Sequence, residues 1–210
     1  VQPLKEALNQ YYRSVVLERV LLLNHQLNAS LPPVSEPYQL GYKTSKRSAK
    51  HLLQAWLNHL AWQAHGANKK TIWLFMDEAQ VFLPIPRLQA EDYLQQWWQY
   101  YQQGLTKPLL LPANVAFKFA ETTHNPKKGA DEASLAAQQE WASLFSSDLA
   151  FGRKTESKDV YWLQITPETQ RQQLPIEITQ LAPLLYLPLV EHSKKVAWSA
   201  LAQEFNSHGN

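Results

Sequence analysis

The feature that most constrains the fold is an apolar stripe in residues 45–65. Apolar side chains recur there at helical spacing, and Gly66 follows as a residue suited to a left-handed helix end. Ser45 precedes the stripe and is expected to cap the helix N-terminus. Because a helix with one apolar face must bury that face, we expect this helix to lie against a sheet. The stripe consists of Ala49, Leu52, Leu53, Trp56, Leu60 and Ala64.

Short strands are predicted on both sides of this helix. Residues 15–23 are rich in aliphatic and β-branched side chains, and residues 27–31 and 38–42 alternate between apolar and polar side chains. These three strands predict an antiparallel meander in the first 45 residues. Residues 71–76 predict a fourth strand that is buried on both faces.

The remaining chain is predicted to be mostly helical. Helices are expected over residues 88–103, with Gly104 as the stop, over 131–146 and over 194–205, and a late strand is expected over 160–165. The predicted fold class is therefore α+β, with a small mixed sheet from the N-terminal meander, flanking helices and a helical C-terminal half.

Composition excludes several classes of function. The 210 residues contain no cysteine, which excludes a disulfide scaffold, a thiolate nucleophile and a cysteine-ligated metal site. A formal net charge of +2 is too mild to indicate nucleic-acid binding by itself. The absence of phosphate-binding glycine motifs predicts no ATP hydrolysis by this chain. No membrane span or secretory signal is apparent, so no membrane partner and a cytoplasmic location are expected.

The order strand, hairpin, strand, strand, helix in residues 15–65 has a chemical precedent in the PD-(D/E)xK nucleases. These enzymes place one acid on the second strand and another acid two residues before a lysine on the third. Residues i and i+2 of a strand share a face, so the acids hold Mg²⁺ beside a lysine that steadies charge. In this chain Lys43 retains the lysine position, whereas Gly41 occupies the position of the acid.

The second predicted strand also lacks an acid near its end, where residues 30–33 read Ser-Leu-Pro-Pro. We therefore predict a degenerate nuclease fold without catalytic residues, bound metal or cofactor. Two alternatives remain open. In the first, Lys43 is an ordinary solvated lysine at a strand end. In the second, the chain is an active Mg²⁺ nuclease that recruits Glu36 or Glu18.

Five stretches carry a family resemblance: residues 42–45 with 53–60, residues 100–105, residues 107–112, residues 157–168 and residues 184–189. They resemble the RecC family, the gamma subunits of exodeoxyribonuclease V, in their C-terminal domain. The resemblance implies a non-catalytic nuclease-like domain over residues 1–192, in a fragment of a longer subunit, whereas the helical tail over 193–210 is predicted from its sequence pattern alone. The resemblance also implies the partners: duplex ends or single-stranded DNA, and the other two subunits of a helicase–nuclease for recombinational repair.

Four cations cluster at the end of the third strand and the start of the helix. Lys43, Lys46, Arg47 and Lys50 are the predicted DNA-binding residues, because cations beside a helix N-terminus suit phosphate. The alternative is a solvated helix start, which is the commoner use of such charges.

Aromatic residues mark a second candidate surface in residues 97–101. Trp97, Tyr101 and Leu94 share one helical face and are predicted to be core, whereas Trp98 lies well round from them. Outward aromatics suit either base stacking or, preferentially, a partner subunit, so a pure protein-interaction module is the alternative function.

Three further groups are given structural interpretations. Asp77 and Glu78 are adjacent, so their side chains point to opposite faces of a strand and are interpreted as a strand-exit turn. His59 is interpreted as a hydrogen-bonded packing residue. The pair Lys194 and Lys195 is interpreted as a solvated surface feature.

Overall fold

The computed structural model describes residues 18–23, 26–31, 38–145 and 160–201, and it shows an α+β fold. The chain divides into two compact units. The first unit comprises residues 1–98 and 192–210, and the second comprises residues 99–191.

The first unit begins with a two-stranded antiparallel hairpin. Strand β1 (Glu18–Leu22) pairs with β2 (Leu27–Leu31), and the Gln26 N–H donates a hydrogen bond of 3.2 Å to the Leu23 carbonyl across the turn. Val20, Leu22 and Leu31 are buried on this hairpin. The hairpin predicted from the sequence is therefore confirmed.

A separate four-stranded sheet forms the centre of the first unit. Its strands are β3 (Gln39–Tyr42), β4 (Thr71–Leu74), β5 (Ala79–Phe82) and β6 (Ser193–Val196), in that spatial order. Strands β3 and β4 are parallel, and the other neighbours are antiparallel. The predicted meander was wrong at β3, because this strand belongs to the second sheet and not to the hairpin. The helical crossover after β3 returns the chain in the same direction, so β4 becomes its parallel partner.

Helix α1 (Ala49–Ala64) is that crossover, and it packs against the sheet. Its buried side chains include Leu52, Trp56 and Leu60, as the apolar stripe predicted. The N-cap is Ser48, whose hydroxyl accepts a hydrogen bond of 3.3 Å from the His51 N–H. The expectation of Ser45 as cap was wrong, whereas Gly66 has the predicted left-handed backbone, with φ of 97°.

The opposite face of the sheet has its own apolar cluster. Leu40, Ile72 and Val81 are buried there with Leu201, which belongs to a helical turn over residues 198–201. The predicted helix over 194–205 was wrong at its start, because the backbone at 193–196 pairs with β5 as strand β6. The division of the chain into 1–192 and 193–210 stays a prediction.

The long helix α2 (Arg87–Thr106) continues through Gly104, where the sequence predicted its end. In the second unit α3 packs extensively against α4 and α6. The sequence missed α3, although its buried residues Val115, Ala116, Phe119 and Ala120 have helical spacing. The helices of this unit after α2 are α3 (Ala113–His124), α4 (Ala130–Ser143), α5 (Val160–Ile165), α6 (Ile176–Leu185) and α7 (Leu187–Glu191).

Helix α5 replaces the strand predicted over residues 160–165. The Arg171 guanidinium donates hydrogen bonds to the carbonyls of Leu163 (2.9 Å) and Thr166 (3.2 Å), which satisfies acceptors at the end of the helix. This contact from the following turn favours a helix although the segment is rich in β-branched and aromatic residues. Throughout the described parts of the chain, no helix combines the length and apolarity needed to cross a membrane.

Candidate nucleic-acid interface

Residues 43–47 leave β3 and run beside the turn that joins β4 to β5. The Lys43 N–H donates to the Leu74 carbonyl at 2.8 Å, and the Met76 N–H donates to the Ser45 carbonyl at 3.1 Å. The Arg47 N–H then donates to the Asp77 carboxylate at 3.1 Å. These three hydrogen bonds fix the segment against the sheet immediately before α1 begins.

The four predicted DNA-binding residues lie along this fixed segment and the first turn of α1. We call Lys43, Lys46, Arg47 and Lys50 the strand-end surface. Lys46 and Lys50 are exposed and Lys43 is half-buried. The first turn of α1 contains no acidic residue. The partial positive charge of the helix N-terminus therefore adds to the lysine charges without local compensation by the helix.

Arg47 differs from the three lysines because its side chain is committed within the protein. The Arg47 Nε forms an ion pair with one carboxylate oxygen of Glu78, and the Lys195 Nζ of β6 forms an ion pair with the other. Glu78 is buried, with 7% of the residue exposed, whereas the neighbouring Asp77 is exposed. Both acids lie in the turn that joins β4 to β5, one buried and one exposed, which agrees with their interpretation as a strand-exit turn.

A polar side chain connects this ion-pair cluster to the start of β6. The Arg47 Nη1 donates a weak hydrogen bond of 3.5 Å to Gln80 Oε1, and Gln80 Nε2 donates a bond of 2.8 Å to the Ser193 hydroxyl. Sequence reasoning missed Glu78, Gln80 and Lys195 as parts of this site. No local pattern could have found them, because they meet Arg47 only through the pairing of β5 with β6 and the path of the segment before α1.

The position that carries an acid in PD-(D/E)xK nucleases is closed by packing. Gly41 is buried and lies opposite Trp73 in the parallel β3–β4 register. A Cβ added at Gly41 would lie 2.7 Å from Trp73 Cδ2 and 2.8 Å from Cζ2, distances at which the indole would have to move. A carboxylate at this position is therefore incompatible with the present position of Trp73.

A buried polar network lies on the sheet beneath α1. The His59 Nε2 lies 3.0 Å from the Leu83 carbonyl, and Nδ1 lies 2.7 Å from the Thr71 hydroxyl, which in turn lies 3.0 Å from Gln39 Oε1. Because a carbonyl only accepts, neutral His59 carries its proton on Nε2, and the Thr71 hydroxyl donates to Nδ1. With the Gln39 amide turned over, so that its nitrogen, which otherwise has no partner, takes the place of Oε1, the Thr71 hydroxyl accepts a hydrogen bond from that nitrogen. In this orientation of the Gln39 amide, each donor from Gln39 through Thr71 and His59 to the Leu83 carbonyl has an acceptor.

This environment keeps His59 neutral. The pKa of His59 falls from its ordinary 6.5 to about 3, mainly because of burial; the hydrogen bond to the Leu83 carbonyl opposes this fall, and charge repulsion from His192 contributes to it. The interpretation of His59 as a hydrogen-bonded packing residue is confirmed. The histidine stabilises the sheet and helix that carry the strand-end surface.

The remaining predicted features divide between buried and exposed positions. On α2, Leu94 is buried as predicted and Trp97 is half-buried, but Tyr101 is 58% exposed, so its assignment to the core was wrong. Trp98 is half-buried. Across the ranges that the structure describes, no group of three or more His, Asp or Glu side chains is placed to hold a metal ion. Glu36 lies outside those ranges.

Comparison with known proteins identifies the family. The RecC C-terminal domain family model matches residues 1–124, which is more than half of the chain. The RecC subunit of the RecBCD enzyme from Escherichia coli (strain K12) is 28% identical over 153 residues, covering 69% of this chain and 14% of that protein. The chain therefore spans about one seventh of the length of this relative, and it belongs to the RecC C-terminal domain family.

Proposed function

We propose that this chain is a non-catalytic DNA-handling and subunit-docking domain of a RecBCD-type helicase–nuclease, also called exodeoxyribonuclease V, that acts in double-strand-break recombinational repair. Family membership supports the assignment, because the matched relative is named as a subunit of the RecBCD enzyme. The proposed partners are DNA and the other subunits of that complex. The degenerate nuclease-like fold is part of the proposal.

The observation that carries the non-catalytic role is the packing of Trp73 against Gly41. In a metal-dependent nuclease this strand position supplies a carboxylate to Mg²⁺ beside the lysine. Here the lysine remains as Lys43, but an indole ring fills the space next to it where the acid would project. The strand end therefore retains a phosphate-binding cation without the adjoining carboxylate.

The DNA-handling role rests on the strand-end surface. Lys46 and Lys50 are exposed, and Lys43 projects from the same fixed segment. We assign phosphate contacts to these three lysines, because lysine neutralises phosphate without reading sequence. Arg47 has a positioning role, since its side chain is held by Glu78 and its backbone N–H is held by Asp77.

The docking role is favoured by exposed apolar side chains on α2. Tyr101 and Leu105 are 58% and 68% exposed and lie one helical turn apart, so they share a face of the helix. Exposed tyrosine and leucine on one face are typical of the anchors that a protein partner covers. We place a subunit contact on this face of α2.

DNA binding and DNA cleavage separate the proposed role from its alternatives. Labelled forked DNA should bind the chain at low salt, and the affinity should fall as salt rises. In the presence of Mg²⁺ or Mn²⁺ the same DNA should remain intact, both with the wild type and with Lys43→Ala. Metal-dependent cleavage that Lys43→Ala abolishes would show an active nuclease. Absence of binding at low salt would leave a pure protein-interaction module.

A further inference from the structure

Lys195 lies at the same end of the sheet as the strand-end surface although it is distant in sequence. Strand β6 runs antiparallel to β5, with Val196 opposite Ala79 and Lys195 opposite Gln80. The end of β6 therefore meets the start of β5, next to the Asp77–Glu78 turn. Lys195 is thus placed beside Arg47, which contacts both Gln80 and Glu78.

The buried Glu78 carboxylate fixes the direction of the Lys195 side chain. One oxygen of Glu78 faces Arg47 and the other faces Lys195. Even so, 62% of the Lys195 side chain is exposed. Because an ammonium group has three N–H donors, Lys195 can keep its bond to Glu78 and still present donors to a ligand in solvent.

This end of the sheet carries a larger net positive charge than the whole chain does. Five cations, the strand-end surface plus Lys195, face two carboxylates, Asp77 and Glu78, which leaves three net positive charges. The whole chain has a formal net charge of only +2. The remaining residues therefore sum to a net charge of about −1, so the positive excess of the chain comes from this sheet end.

We propose that Lys195 is a fourth phosphate-contacting cation beside Lys43, Lys46 and Lys50, and that the DNA surface extends from residues 43–50 across the sheet end onto β6. Glu78 is the positioning residue that orients Lys195 toward this surface. The inference rests on the proposed DNA-handling function and adds a strand that the strand-end surface did not include. A polyanion is favoured over an acidic protein because the cations come from the segment after β3, the first turn of α1 and strand β6, and so extend across the sheet end rather than along a single helix face.

The adjacent Lys194 supplies a matched control. Lys194 lies opposite Val81, a residue of the apolar cluster on the other face of the sheet, whereas Lys195 lies opposite Gln80. Successive strand residues point to opposite faces, so the two lysines differ in direction but share strand, charge and neighbours in sequence. Lys194→Gln and Lys195→Gln therefore remove the same charge from opposite sides of one strand.

The test measures binding of labelled forked DNA by the full 210-residue chain at several salt concentrations. Lys195→Gln should lower the slope of log affinity against log salt by about 0.7–0.9, the value expected for one lost phosphate contact. Lys194→Gln should leave the slope unchanged, and Lys195→Arg should restore it. Thermal unfolding of each variant checks that the fold persists.

The possible results separate this inference from the function on which it rests. Equal slopes for Lys194→Gln and Lys195→Gln would overturn the role of Lys195, whether both fall or both match wild type. If the role of Lys195 fails but Lys46→Gln and Lys50→Gln still weaken DNA binding, the proposed DNA-handling function remains valid without it. If DNA binding is insensitive to every lysine variant, both the function and the inference fail, and an acidic protein partner becomes the better assignment.

Discussion

At the scale of single residues, two buried contacts determine what the strand-end surface can do. Trp73 closes the space beside Gly41, and a neutral His59 is hydrogen-bonded between α1 and the sheet. The sequence predicted that Gly41 replaces an acid, but it could not show that the space is filled, because the β3–β4 register is a long-range property. Nor could the sequence show the chain of hydrogen bonds that runs from His59 through Thr71 to Gln39.

Replacing Gly41 with alanine tests the close packing directly. We expect Gly41→Ala to lower the free energy of unfolding by about 1–3 kcal/mol, because the added Cβ overlaps the Trp73 indole. Urea denaturation measures the change. Gly104→Ala is the control. Gly104 lies within α2, and its added Cβ would come no closer than 3.8 Å to Leu109, so this change should raise stability by roughly 0.5–1 kcal/mol. Unchanged stability of Gly41→Ala would contradict the packing argument.

Acidification should destabilise the fold through His59. The folded pKa is about 3 and the ordinary pKa is 6.5, so the unfolded chain binds a proton in the pH range between these values while the folded chain does not. Stability is therefore complete above pH 6.5 and is lost as pH falls. From pH 7 to pH 5 the expected loss is about 2 kcal/mol.

Urea unfolding at pH 7, 6 and 5 checks this dependence. His59→Gln should be less stable at pH 7 but should lose about 2 kcal/mol less than wild type on acidification. His65→Gln, a change at an exposed histidine just after α1, should keep the wild-type pH dependence. Equal pH dependence in wild type and His59→Gln would show that His59 does not stay neutral in the folded state.

At the scale of elements, local sequence patterns predicted most of the helices and strands and the β1–β2 hairpin, but not how the strands pair in the four-stranded sheet. The stripe of α1 and the doubly buried β4 were readable because both patterns are long or fully apolar. The short segments at 160–165 and 193–196 were misassigned. In the first an arginine from a later turn satisfies the helix carbonyls, and in the second pairing with β5 outweighs a helical pattern.

The parallel pairing of β3 with β4 was available from general rules. A strand, a helix and a second strand in succession favour a parallel pair, because the helix returns the chain to the starting edge. What remains inaccessible to sequence reasoning is the ion-pair cluster. Arg47, Glu78 and Lys195 come from three separated segments, and only the completed sheet brings them together.

Breaking this cluster should weaken the connection between the segment before α1 and strand β6. We expect Glu78→Gln to lower the free energy of unfolding by about 2 kcal/mol. This is less than the value typical of fully buried pairs, because the Lys195 side chain is 62% exposed and remains partly hydrated. Chemical denaturation at pH 7 measures the difference.

A surface ion pair on α2 provides the comparison for Glu78. Arg87 and Glu91 form an i, i+4 pair, and 68% of the Arg87 side chain is exposed. Glu91→Gln should change stability by less than about 0.5 kcal/mol, as exposed pairs usually do. If Glu78→Gln and Glu91→Gln lower the free energy of unfolding by the same amount, the buried carboxylate has no special role in holding Arg47 and Lys195.

At the scale of the whole molecule, the distribution of charge matters more than its sum. A net charge of +2 did not indicate nucleic-acid binding, yet the fold gathers cations from residues 43–50 and from β6 at one end of the sheet. Lys69 and Lys70 immediately precede β4 and therefore lie at the opposite end of that strand. Two lysine pairs of equal charge, Lys46 with Lys50 and Lys69 with Lys70, should therefore contribute differently to DNA binding.

The most direct test compares forked-DNA binding by Lys46→Gln/Lys50→Gln with binding by Lys69→Gln/Lys70→Gln. Each double variant removes two positive charges, so any difference reports position and not net charge. The first variant should lower the slope of log affinity against log salt by about 1.4–1.8, while the second should keep the wild-type slope. Equal slopes for the two variants would contradict the claim that the strand-end surface contacts DNA.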